Sequence, residues 1–196
     1  MNNILFIRHG EPDYIHYLKS SNNACISIPR DSVGLSDNGI RCCEKMCDTI
    51  LKFNPSVIIS SPYTRALQSA HIISSHTSIP LLVEKNFVEW LSELSISING
   101  HAEYQKLLDE VTSHNGEYSN NCKYKWESIH ELKKRALSSI ITYSNKYERI
   151  AVVTHKMLIY QLTGLSLPFC GIVQTCVEDI SSNNQIKHSF LYSYDK

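Results

Sequence analysis

Short apolar runs and longer mixed stretches alternate along most of this chain, a pattern that predicts strands separated by helices. The first run, Ile4-Leu5-Phe6-Ile7, is apolar at every position and rich in β-branched and aromatic residues, as a buried strand requires. Residues 12–34 carry Pro12, Pro29, Gly34 and a Ser-Asn cluster and read mainly as loop. Leu35-Ser36-Asp37-Asn38-Gly39 has the polar residues that open a helix, with Ser36 or Asp37 as the cap, and 40–51 continues as that helix until Asn54-Pro55. A second buried strand, 56–60 around Val57-Ile58-Ile59, runs into a helix over 64–75, and a third strand covers 80–84. Residues 85–125 are less regular. There Phe87, Trp90 and Leu91 mark a packed segment, 102–111 a helix and 113–125 a polar loop. Ile129, Leu132, Ala136, Ile140 and Ile141 fall on one side of a long helix over 127–147. The fourth strand lies within 149–154, and a helix over 156–162 is closed by Gly164. Strands near 173–180 and 185–192 are expected to form a hairpin around Asn183-Asn184.

Strands alternating with helices imply an α/β three-layer sandwich, with a mostly parallel central sheet covered by helices on both faces. With no internal repeat and no clear linker, residues 1–196 read as a single α/β domain, with 85–125 as a small cap or insert beside it.

Composition narrows the function classes. Hydrophobic residues make up 42% and charged residues 19%, the balance of an ordinary globular protein. Lys+Arg and Asp+Glu number 19 each, so there is no basic stripe for nucleic acid and no polybasic segment for a membrane surface. Anion affinity must therefore be local. No apolar run approaches the roughly 20 residues that span a bilayer, and no basic segment followed by an apolar one marks a secretory signal near the first residues. Seven cysteines (Cys25, Cys42, Cys43, Cys47, Cys122, Cys170, Cys176) form an odd set without a CxxC pair, which reads as reduced thiols in a cytoplasmic protein. Cys43 and Cys47 share a helix face and read as packing rather than metal ligands.

The chemistry sits where strands end. The first strand delivers Arg8, His9 and then Gly10, a residue suited to a sharp turn or a close approach. By itself the tripeptide fits a nucleophile beside an anion-binding guanidinium and a hydrogen-bonded turn histidine about equally. Arg65 comes after the second strand and His155 after the fourth. Parallel strands place their carboxyl ends on one rim, so these four side chains are expected to converge on a pocket for a dianion such as phosphate. The starts of the helices after Tyr63 and His155 would add partial positive charge.

Arg8-His9-Gly10-Glu11, Leu35-Ser36-Asp37-Asn38-Gly39, Ser60-Ser61-Pro62-Tyr63-Thr64-Arg65-Ala66 and Val152-Val153-Thr154-His155 together resemble the histidine phosphatase superfamily, the phosphoglycerate mutase-like group. Their order and spacing match its smaller branch over nearly the whole chain. Glu127-Ser128, with Arg135 further on, resembles the segment that such proteins place before the last catalytic strand. The resemblance implies a metal-independent phosphatase that hydrolyses small phosphomonoesters through a phosphohistidine on His9. Arg8, Arg65 and His155 would hold the phosphoryl oxygens, and a carboxylic acid would protonate the leaving oxygen. Leu91-Ser92-Glu93 fits the family's context for that acid, with Glu89 the runner-up. No cofactor and no metal are implied, and the partner is a small phosphorylated metabolite. A phosphomutase of the same family is the alternative, although 85–125 is short for the larger cap a mutase needs. A catalytically weak phosphate-binding module on the same fold is a third reading.

Two positions depart from the family. Ile15 stands where an asparagine often donates to phosphate, with Asp13, Tyr14 and His16 nearby as substitutes. Lys156 replaces the glycine that usually comes after the second histidine, where it adds a charge to the pocket, hinders it or points away. Other motifs carry less. His130-Glu131-Leu132-Lys133-Lys134 lacks the second histidine of a helical zinc site, and Gly164-Leu165-Ser166-Leu167-Pro168 lacks the last glycine of a nucleophile elbow. His71 and His76 do not share a helix face. His16, His101, His114 and His188 read as surface or satisfied residues, with His101 closest to the cap.

Overall fold

A computed structural model describes residues 3–14, 31–92, 101–181 and 189–192. Its sheet has six strands: β1 (Asn3–Arg8), β2 (Val57–Ser60), β3 (Leu81–Val83), β4 (Arg149–Thr154), β5 (Ile172–Cys176) and β6 (Ser189–Tyr192). The order across the sheet is β3-β2-β4-β1-β5-β6. The first four of these positions are mutually parallel, and β5 and β6 pair antiparallel at the far edge. The mostly parallel α/β sandwich expected from the sequence is therefore the fold.

The apolar runs are continuous because both faces of the central strands are buried. Ile4 and Phe6 of β1, Val57 and Ile59 of β2, and Ile150 and Val152 of β4 face one core. That core is closed by α4 (His101–Ser113), α5 (Ile129–Ser144) and α6 (Lys156–Thr163), through Leu107, Leu132, Ala136, Leu158 and Ile159 among others. Leu5, Ile7, Ile58, Ala151 and Val153 face the other core. There α1 (Asp37–Lys45), α2 (Cys47–Phe53) and α3 (Thr64–Thr77) supply Cys42, Cys43, Ile50, Ala66, Ala70 and Ile73. Cys43 and Cys47 are buried packing residues, as expected.

Two elements differ from the sequence reading. The helix expected over 40–51 is two helices broken at Met46, whose N–H reaches both Cys42 O and Glu44 O. Cys42, Cys43, Met46, Cys47 and Ile50 all stay buried across the break, so a helical period runs through it and hides it from pattern reading. At the C-terminal edge, 177–180 is not strand but the start of α7 (Val177–Ser181). Glu178 and Asp179 in its first turn suit a helix N-terminus, and Ile180 packs into the first core. The antiparallel pairing of β5 with β6 stands, while Asn183 and Asn184 lie outside the described residues.

The N-cap of α1 ties the helix layer to the loop after β1. Ser36 Oγ accepts from Gly39 N–H (3.0 Å) and donates to Glu11 Oε2 (3.1 Å), and Asn38 Nδ2 donates to the same oxygen (2.9 Å). Gly39 lies so close to Glu11 that a Cβ there would overlap Glu11 O. Gly39→Ala is thus expected to destabilise the fold by about 1–3 kcal/mol, the usual cost of overpacking. The shift should appear in a denaturant midpoint; an unchanged midpoint would contradict the contact.

Candidate active site

β2, β4 and β1 are consecutive neighbours pointing the same way, so the residues after each strand emerge at one rim. The rim is knitted by the backbone one residue past each strand. His9 N–H donates to Thr154 O (3.1 Å) and Ser61 N–H to Val153 O (3.0 Å). The close approach expected of Gly10 is present: a Cβ there would stand 2.8 Å from Gly39 O and 2.9 Å from Cys43 Sγ.

The structure brings Arg8, His9, Arg65 and His155 together, with Arg65 in the middle. His9 Nδ1 lies 2.7 Å from Gly10 O. A carbonyl only accepts, so Nδ1 carries the proton and Nε2 keeps its lone pair. Arg65 Nε–H donates to that Nε2 at 3.1 Å, and Arg65 Nη2 donates to His155 Nδ1 at 3.3 Å. His155 is then protonated on Nε2, which donates to Ser61 Oγ at 2.8 Å. The two imidazole rings meet edge-on with centroids 5.1 Å apart. Arg8 is held from a different direction, its guanidinium 3.9 Å above the Phe169 ring and its Nη1 donating to Leu167 O at 2.8 Å. Among the described residues the buried Arg8 Nε–H has no hydrogen-bond partner.

Burial, with Arg65 beside it, holds His9 well below the ordinary histidine range, against the opposing pull of the Gly10 carbonyl. Burial, then His9 and Arg65, does the same to His155. Both imidazoles are therefore neutral in the folded protein at neutral pH, as a nucleophile must be. Below about pH 6.5 the unfolded chain takes up protons on these two residues that the folded chain refuses, so stability falls as pH falls through that window. The slope from the pair approaches about 2.7 kcal/mol per pH unit. Denaturant midpoints should be flat from pH 8 to 7 and drop between pH 6.5 and 5; no change between 7 and 5 would contradict neutral buried imidazoles.

Glu89 occupies the same rim. Its Oε1 accepts from Trp90 N–H (2.9 Å) and Leu158 N–H (3.3 Å), and its Oε2 from Met157 N–H (3.3 Å). The carboxylate thus sits at the start of α6, directly after His155, and its charge also acts on Arg8. Arg135 fastens the segment that carries it. Arg135 donates to the carbonyls of Asn86, Val88 and Glu89 while forming a two-pronged pair with Glu127. Glu93 and Ile15 lie outside the described residues, as does His16. Lys156 is the first residue of α6, exposed to solvent.

A family model for the histidine phosphatase superfamily (branch 1) matches residues 4–169. This chain belongs to that superfamily. It is a phosphatase-type enzyme within a family of phosphatases and mutases. Over 188 residues it is 25% identical to the uncharacterized phosphatase PhoE of Bacillus subtilis (strain 168), covering 92% of this chain and 88% of that protein. Solved structures share the fold. A mycobacterial glucosyl-3-phosphoglycerate phosphatase in complex with VO3 superposes with a TM-score of 0.68 at 17% identity, covering 97% of each chain. A phosphoserine phosphatase mutant from Entamoeba histolytica superposes with a TM-score of 0.63 at 21% identity, again over 97% of each. Among the described residues no helix is long and apolar enough to cross a membrane.

Sequence reasoning missed three contributors to this histidine phosphatase site. Ser61 fixes the His155 tautomer, and its place directly after the second strand was a usable signal. Phe169 and Leu167 position Arg8 from a loop about 160 residues away in sequence, and no local pattern marks them.

Proposed function

We propose that the protein hydrolyses small phosphomonoesters by two-step phosphoryl transfer through a phosphohistidine on His9. The observation that carries this is the orientation of His9, whose proton is parked on the Gly10 carbonyl so that Nε2 presents a lone pair. In the first step that lone pair forms the N–P bond as the P–O bond to the alcohol breaks. Arg65, which holds Nε2 in the structure, gains a stronger charged acceptor in a phosphoryl oxygen and so frees the lone pair as substrate binds. Arg8 adds a second guanidinium whose Nε–H is available. His155 is neutral and can donate to a phosphoryl oxygen once its Nε2–H leaves Ser61 Oγ. Two guanidiniums supply the charge that a metal ion provides in other phosphoryl-transfer sites.

A carboxylic acid gives its proton to the departing alkoxide, and its carboxylate then takes one from the water that hydrolyses the phosphohistidine. Glu93 is the first choice from sequence alone. The described geometry supports Glu89, which is held beside Arg8 and the start of α6.

p-Nitrophenyl phosphate turnover tests the reading directly. The purified protein should release nitrophenolate at a rate unchanged by EDTA and competitively inhibited by orthovanadate. Absence of turnover, or loss on EDTA that magnesium restores, would overturn it.

A further inference from the structure

Lys156 is unexplained by the chemistry above. It comes immediately after His155 and opens α6. Beside it is a cleft of about 840 Å³ between α4 and α6, with Glu89 and Lys156 both in its lining. The rest of the wall mixes apolar and aromatic surface, notably Tyr104, Leu108 and Met157, with neutral polar side chains such as Asn115 and Gln161. Among the described residues Glu89 and Lys156 are the only charged side chains there, and they differ in circumstance. The Glu89 carboxylate is occupied by three backbone N–H groups. Among the described residues no carboxylate forms an ion pair with the Lys156 ammonium.

We infer that this cleft receives the alcohol portion of the substrate and that Lys156 selects phosphomonoesters whose alcohol carries a carboxylate at its far end. This rests on the phosphatase reading with Glu89 as the acid, in which the leaving oxygen departs next to Glu89; Glu89 is the residue that this cleft shares with the site, and the cleft gives the group attached to that oxygen a place to lie. An apolar or aromatic body would pack on Leu108, Met157 and Tyr104, and the carboxylate would meet Lys156 as a point charge on a flexible stem. Because Lys156 is solvent-exposed, the discrimination is moderate and salt-dependent.

The test compares two substrates with leaving groups of equal basicity, 3-(4-phosphonooxyphenyl)propanoate and 4-propylphenyl phosphate. The unaltered enzyme should favour the carboxylate by about five- to tenfold in kcat/KM at low salt, and the ratio should shrink as salt rises. Lys156→Gln should bring the ratio close to one, and Lys156→Glu should invert it. A ratio near one in the unaltered enzyme, or a preference that survives Lys156→Gln, would overturn the inference while leaving the phosphatase reading intact. Hydrolysis of neither ester would overturn both. Each variant's denaturant midpoint, measured alongside, separates misfolding from loss of selection, because the ratio is read only from folded protein.

Discussion

His9→Ala is expected to lower turnover of p-nitrophenyl phosphate by about 10⁴-fold or more, the scale on which removing a covalent nucleophile acts in a hydrolase. No other described side chain can take its place. His155, the nearest imidazole, has its Nδ1 directed at Arg65 and its Nε2 at Ser61, with neither nitrogen in the position of His9 Nε2. The unaltered protein, mixed briefly with a radiolabelled phosphomonoester and quenched, should carry label that is stable in alkali and lost in acid, as a phosphoramidate is. The alanine variant should carry none. It should also remain folded, because the strand that bears residue 9 is anchored by Ile4, Leu5, Phe6 and Ile7, all fully buried. Activity within tenfold of the unaltered protein would reject His9 as the nucleophile.

How far the sequence reaches is clear from particular residues. Ile4–Ile7, Val57–Ile59 and Ile150–Val153 were legible as strands because burial on both faces leaves no polar position in the run. Their ends were legible as a site because parallel strands share a rim, so Arg8, His9, Arg65 and His155 could be placed together from the chain alone. Met46 was illegible for the converse reason: the break keeps the helical phase, and pattern reading sees only phase. The strand expected at 177–180 failed because an apolar residue every few positions suits either element, and Ile180 found its burial from a helix.

Within the site the boundary lies between strand ends that share a rim and loops that no strand end places. Glu11 with Ser36 and Asn38, and His9 with Gly10, join residues of motifs that the sequence reading quoted, but the contacts themselves came only with the fold. The stacking of Arg8 on Phe169 depends on β5 returning antiparallel beside β1 and bringing its preceding loop to the rim, an arrangement that no motif encodes. Arg135 was noticed through family resemblance, but its work became visible only with the fold, since it consists of carbonyls on Asn86, Val88 and Glu89 about 46–49 residues away.

Glu89→Gln is expected to slow an alkyl phosphate by on the order of 10²-fold or more while slowing p-nitrophenyl phosphate much less. An alkoxide is too basic to depart unprotonated, so its loss depends on a proton delivered in the transition state, whereas nitrophenolate departs unaided. Glutamine keeps the shape of the side chain and an acceptor oxygen toward Trp90 and Leu158 N–H, and gives up only the 3.3 Å contact from Met157 N–H, so α6 and His155 should stay in place. Glu93→Gln is the matched comparison, and two carboxylates four residues apart cannot be ranked by spacing. Glu89 is ranked first because it reaches the start of α6 and acts on Arg8, and because Arg135 binds the carbonyl of the same residue. A proton donor needs to be held within hydrogen-bond reach of the leaving oxygen, and that fastening supplies the positional constraint. A leaving-group dependence in the Glu93 variant and none in the Glu89 variant would move the acid to Glu93 and leave Glu89 as a cap on α6. Dependence in neither would place the acid elsewhere, with Glu11 and Asp13 the next carboxylates along the chain from His9.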